Sequence, residues 1–339
     1  MTQINTISEF LLHAGTNYRI FDLGRAIRPL ESQLFLDIEL GRTAAPYPRQ
    51  QHAWLGIVFF QPGQNQQHYI WFIKLPLDEQ GFIVAASRQH FLQMVVDALG
   101  LQLDKTSHQQ LPDNPYTFIP SQQQLADFNS ISRTTLGLPP SQYFEHALQY
   151  LQNPQQGDWQ TLSVQGIADL VAFMHQKDLE TSLISQFQHL AYEVQLAICH
   201  SFENHSISLP CAEMLVKWGQ LATNDPTRCT LLLRALSQSQ QQDLVAKLIQ
   251  QLLQQDNAMH QDIFIVIAAR HWQTLHKHQL IESYMQQLAD FDTNLFSALY
   301  RDLVQIPDMR QTMLAMLNKP GHPASLASAL EQLIVSQQR

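Results

Sequence analysis

The sequence predicts a two-part molecule. A small α+β domain, an antiparallel sheet with helices, is followed by an all-α helical-repeat domain, an α-solenoid of HEAT-like helix pairs. Three observations carry this. Two aromatic-dense runs, WLGIVFF and YIWFIKL, lie in the first hundred residues and read as strands. From Ser121 onward the apolar spacing is helical throughout. A chain of 339 residues also exceeds what one hydrophobic core usually organises. The boundaries follow: 1–105 for the α+β domain, 106–120 for a polar, Pro-containing linker (TSHQQLPDNPYTFIP), and 121–339 for the helical repeats.

In chain order, Ile7, Phe10 and Leu11 share one face of a short first helix, with Thr6 as its cap. YRIFDLG (18–24) alternates like a strand. IRPLESQLFLDIELG then reads as a helix with Pro29 in its first turn and Gly41 ending it. RTAAPYPRQ is a proline-punctuated loop. The two aromatic strands follow, Trp54 to Phe60 and Tyr69 to Leu75, joined through Pro62 and Gly63 as an antiparallel hairpin. FIV (82–84) suggests a third strand, and Ser87 a cap for the helix bearing Phe91, Val95 and Leu99.

Both faces of the hairpin are apolar: Trp54, Val58 and Phe60 on one side of the first strand, Leu55, Ile57 and Phe59 on the other. Strands covered on two sides show this pattern, so the hairpin reads as core. A stacking platform for single-stranded nucleic acid needs interleaved Arg and Lys, and Lys74 alone supplies it.

The second part reads as helix pairs. QQLADFNSISRTTLG with PSQYFEHALQYL is the first, and DWQTLSVQGIADLVAFM with DLETSLISQFQHL the second. Asp225 before Pro226 is a capping residue followed by proline at the first helical position. Pair starts near Ala191, Pro226, Ala258 and Phe291 recur at roughly 35 residues, the range of helical-repeat solenoids. No residue recurs at a fixed offset, and an irregular closed bundle is the alternative.

Charged residues are only 14% of the chain. Gln fills the gap at about one residue in seven, scattered at helical spacing, and reads as neutral solvated helix surface. The net charge of −9 disfavours nucleic acid and acidic membranes as partners. MTQINTISEFLLHAG lacks a basic start and a long apolar core, and no run approaches a membrane span, so a soluble cytoplasmic protein is expected. Cys199, Cys211 and Cys229 sit in apolar stripes without a CxxC and read as buried, reduced thiols.

No motif names a reaction. GxSxG, GxxxxGK[ST] and GxGxxG are absent. His271, His276 and His278 are the densest histidines, but spacings of five and two place them on different helix faces, and no metal site is assigned. No catalytic residue and no cofactor are implied. One charge bias stands out: Arg25, Arg28, Arg42 and Arg49, with Arg19 just before. Local ion pairing with Asp22, Glu31, Asp37 and Glu39 is the first reading. A site for an anionic ligand or an acidic partner is the second, because Arg captures carboxylate and phosphate bidentately.

Together FDLGRAIRPLESQLFLDIELG and YIWFIKLPLDEQGF resemble the N-terminal signature of a bacterial family of uncharacterised proteins of about this length. The resemblance runs through the whole chain and implies a bacterial, cytoplasmic protein, but no activity or site residue. The expected function is therefore that of a non-catalytic scaffold, binding a protein partner through the helical repeats. An enzyme with a small-molecule site at the domain junction is the alternative. A nucleic-acid binder needs a basic stripe including Arg228, Arg234, Arg270 and Arg301.

Overall fold

The computed structural model describes residues 4–64, 66–102, 114–175, 179–220, 225–254 and 260–337. The chain divides into two compact units, Met1–Pro120 with Gln305–Asp308, and Ser121–Val304 with Met309–Arg339. Most of the expected linker, 106–113, lies outside the described residues.

The first unit is α+β. Helix α1 (Ile7–His13) opens with a complete capping box, Thr6 accepting from Glu9 N–H and Glu9 from Thr6 N–H. Strands β1 (Asn17–Asp22) and β2 (Arg28–Leu30) precede α2 (Ser32–Glu39); β3 (His52–Phe60), β4 (His68–Pro76) and α3 (Ala85–Gln102) follow. The sheet order is β2-β1-β3-β4, every pair antiparallel.

Two local expectations are corrected. Arg28–Leu30 is an edge strand and not a first helical turn; Pro29, which has no N–H to donate, suits either place. Ile83 makes one isolated bridge to Leu77, so FIV is no third strand, and α3 starts before Ser87, at Ala85.

One sheet face carries Tyr18, Ile20, Leu55, Ile57, Ile73 and Leu75 against Ile7 and Leu11 of α1, Phe35 and Ile38 of α2, and Phe91 and Val95 of α3. On the other face Phe21, Val58 and Phe60 are buried as well. Phe118 lays its ring against Trp54 and Phe72 there, at 4.7 and 5.8 Å. Lys74 N–H donates to Tyr116 O and Phe118 N–H to Phe72 O, so 116–118 covers the free edge of β4. Of the aromatic hairpin, β3 is mostly buried and Ile73 and Leu75 of β4 are core, while Trp71 and Phe72 are half-buried and Tyr69 is exposed. A buried carboxylate, Glu39, joins α2 to α1: it accepts from the N–H groups of Ile7 and Ser8 and from Ser8 Oγ, where the helix N-terminus favours negative charge.

The second unit is helical. Its early helices are α4 (Gln122–Thr135), α5 (Phe144–Gln152), α6 (Val164–Ala172), α7 (Leu179–Gln186), α8 (Tyr192–Phe202) and α9 (Leu209–Gln220). Then come α10 (Pro226–Ala235), α11 (Gln242–Gln254), α12 (Gln261–Arg270), α13 (Trp272–Lys277) and α14 (Ile281–Phe291). Helices α15 (Thr293–Gln305), α16 (Pro307–Asn318) and α17 (Ala324–Gln337) close the chain. Asp225 caps α10 as its sequence requires, accepting from Thr227 and Arg228 N–H. The stretch DWQTLSVQGIADLVAFM is not one helix, because Ser163 opens α6 only after a 3₁₀ turn at Trp159–Thr161. Helix α13 carries His276, and His271 and His278 flank it.

Packing in this unit runs by alternate helices. Helix α4 contacts α6, α6 contacts α8, α8 contacts α10 and α10 contacts α12, while α5 meets α7 and α7 meets α9. Among the described residues no helix is long and apolar enough to cross a membrane.

Candidate functional site: an arginine cluster around Asp22

The turn after β1 builds the candidate site. Gly24 N–H donates to Asp22 Oδ1 at 2.8 Å, and Leu23 N–H donates to Trp54 O at 2.7 Å. These bonds draw the turn onto the proline loop so closely that a Cβ on Gly24 would lie 2.0 Å from Tyr47 O. Arg25, 3% exposed, donates from Nε to Pro48 O.

Arg28 faces Asp22 across the β1–β2 pair, and its guanidinium carbon stands 4.5 Å from the centre of the Tyr47 ring. Arg49 stacks on Trp54 at 3.9 Å, and the indole N–H returns a bond to Arg49 O. Lys74 reaches the same indole from β4, at 5.6 Å. Arg49 and His52 close a two-residue hairpin turn, and Gln50 and Gln51 within it both have positive φ, 52° and 57°. Asn and Gly are the usual residues there, so the turn is strained.

Asp22 is the hub. It is 1% exposed, and desolvation pushes its carboxyl up to about 7 despite the Gly24 bond and the fields of Arg28, Arg25 and Arg49. Three of the four arginines singled out in the sequence therefore converge. Arg42 does not join them: it is exposed beyond α2 and pairs with Asp37 at 3.3 Å. Arg19 turns to Tyr18 O and the Phe60 ring.

The second unit holds a different polar assembly, a buried seam along its alternate helices. Asp169 on α6, fully buried, accepts from Ser130 Oγ, Gln165 Nε2 and Ser141 N–H. Asp127 on α4 accepts from Ser201 Oγ, Gln123 Nε2 and Asn204 Nδ2, and burial pushes its pKa up to about 6. Glu203 caps α8 and receives Arg234 of α10 at 3.2 Å and Arg270 of α12. Burial works to raise the Glu203 pKa, but the two guanidiniums outweigh it and hold the carboxyl below its ordinary range.

Two members of the basic stripe a nucleic-acid binder needs are thus bound to Glu203. A third, Arg228, stacks on Tyr192 and Trp218. His271 is buried, bonded to Leu233 O, and lowered to about 4 by desolvation; His276 meets Thr312, and His278 lies near Asp243. Among the described residues no group of three or more His, Cys, Asp or Glu is placed to hold a metal ion. Cys199 and Cys211 are buried free thiols, and burial raises Cys211 to about 12 and the half-buried Cys229 to about 11.

Residues 2–334 match the model of a family described as "Protein of unknown function (DUF3549)". The chain belongs to that family. No curated protein and no solved structure matches it. Membership accords with the resemblance carried by the 21–41 and 69–82 segments, and it assigns no residue a role.

Proposed function

We propose that this family member is a non-catalytic interaction protein that binds a protein partner through its helical unit, and that this unit is an α-solenoid of HEAT-like pairs. The alternate packing from α4 to α12 supports the reading, because each helix contacts its nearest neighbours in the row, as stacked repeats do. The seam supports it too. Its buried carboxylates are occupied by hydroxyl, amide and guanidinium donors from neighbouring helices, so they hold the row in register. A bacterial, cytoplasmic setting belongs to the same reading, and three free, low-reactivity thiols accord with a reducing compartment.

The test is cross-linking mass spectrometry on the tagged full chain recovered from its host. A stoichiometric partner linked at Lys217, Lys247, Lys277 or Lys319 is the expected result. Recovery without a stoichiometric partner, or links confined to Lys74, would overturn the proposal.

A further inference from the structure

We propose that Arg28, beside Asp22 and stacked on Tyr47 in the first unit, binds a small oxyanion, a carboxylate or a phosphate, within the field of Arg25 and Arg49. The site is independent of the helical unit's role as a binding surface.

Arg28 differs from its two neighbours. Arg25 and Arg49 are engaged elsewhere, through Pro48 O, the Trp54 ring and further contacts. The Nε of Arg28 is buried and has no hydrogen-bond partner among the described residues. A buried N–H without an acceptor is costly, and native structures seldom keep one without a reason. The Arg28 guanidinium carbon stands over the Tyr47 ring at 4.5 Å, and a guanidinium carries its N–H donors in a planar fork that matches a carboxylate or phosphate bidentately.

Asp22 does not meet this demand. Its Oδ1 accepts from Gly24 N–H. With its carboxyl pushed up to about 7, it is only partly ionised at neutral pH, while three guanidiniums bear on it. The surrounding backbone is held tightly: Gly24 has no room for a Cβ, and the Gln50–Gln51 turn that sets Arg49 on Trp54 is strained. Strain of this kind persists where neighbouring structure over-determines the chain, and it clusters at ligand clamps.

The experiment is isothermal titration calorimetry on the purified full chain. Sodium phosphate and sodium citrate are titrated separately at matched ionic strength, with chloride as reference. Wild type and Arg42→Ala should bind at least one of the two saturably in the millimolar range or tighter. Arg28→Ala should weaken that binding by about tenfold or more, and Arg28→Lys, which keeps the charge but not the fork, by less.

Binding of phosphate alone identifies a phosphate site, and of citrate alone a carboxylate site; binding of both identifies a general oxyanion site. Absence of saturable binding by either anion overturns the proposal, as does unchanged affinity in Arg28→Ala. Circular-dichroism melting checks that each variant is folded. If Arg28→Ala is not, Arg28→Gln takes its place, with unchanged affinity again overturning the site.

Discussion

Asp22 and Glu203 are both almost fully buried carboxylates near arginine, one in each unit, and they behave oppositely. Around Asp22 three guanidiniums contribute at a distance, and desolvation prevails, lifting the pKa to about 7. At Glu203 two guanidiniums donate directly to the carboxylate oxygens, and the pKa falls below its usual value. The charges of Arg270 and then Arg234 outweigh desolvation at Glu203, with the Arg270 hydrogen bond adding to them, whereas the arginine fields at Asp22 do not overcome burial. The helical unit uses its charge to join helices, whereas the sheet unit holds charge in a strained turn.

The sharpest way to break this contrast is Gly24→Ala. The added methyl cannot coexist with Tyr47 O, so the turn must move off the proline loop, at a cost on the order of 4 kcal/mol. Denaturant unfolding followed by circular dichroism measures it; a loss below about 1 kcal/mol would show that the turn relaxes freely.

Next in size is Glu203→Gln, which leaves Arg270 and Arg234 without their carboxylate. It should cost about 3 kcal/mol by the same measurement. If it proves neutral, the seam does not fasten the helices.

The pH dependence separates the two sites by sign. Asp22 has a folded pKa near 7, above the ordinary value of about 3.9. The unfolded chain therefore releases this proton first, and the contribution of Asp22 to stability falls as pH rises from about 4 through 7. The slope approaches about 1.4 kcal/mol per pH unit. Asp127 acts in the same direction up to about pH 6. Glu203 acts oppositely: its contribution is present above its ordinary pKa and is lost as pH falls through the lowered folded value. Asp22→Asn, which keeps an acceptor for Gly24 N–H, should gain stability relative to wild type between pH 4 and pH 7. Parallel stability profiles for the two proteins would refute the assignment.

The smallest effect is expected from Gln51→Gly, which relieves one positive φ and should stabilise by about 1 kcal/mol. A destabilised variant would mean that the Gln51 side chain or the turn's stiffness outweighs the strain.

Signals written in adjacent residues were legible in the sequence. The Thr6 cap, the Asp225–Pro226 start and the antiparallel aromatic hairpin all appear where local chemistry put them. Errors arose where one residue fits two local structures. Pro29 suits a helix start and a strand edge equally, and pairing with β1 decided between them.

The candidate site was half legible. The arginine bias marked the region, and three of the four arginines meet. Asp22 as their hub and the contact of Gly24 with Tyr47 O depend on a chain reversal that composition does not express. The seam was invisible: Glu203 finds Arg234 and Arg270 at sequence separations of 31 and 67, beyond any local pattern.

The end of α8 gathers bonds that each skip a helix. Ser201 and Asn204 reach back to Asp127 on α4, and Glu203 reaches forward to Arg270 on α12. Local opening of α8 must release both spans at once, so its amides belong to one cooperative foldon with those of α4 and α12. In native-state hydrogen exchange the α8 amides will be the slowest of the helical unit, and they will exchange through the opening of the whole row instead of by fraying.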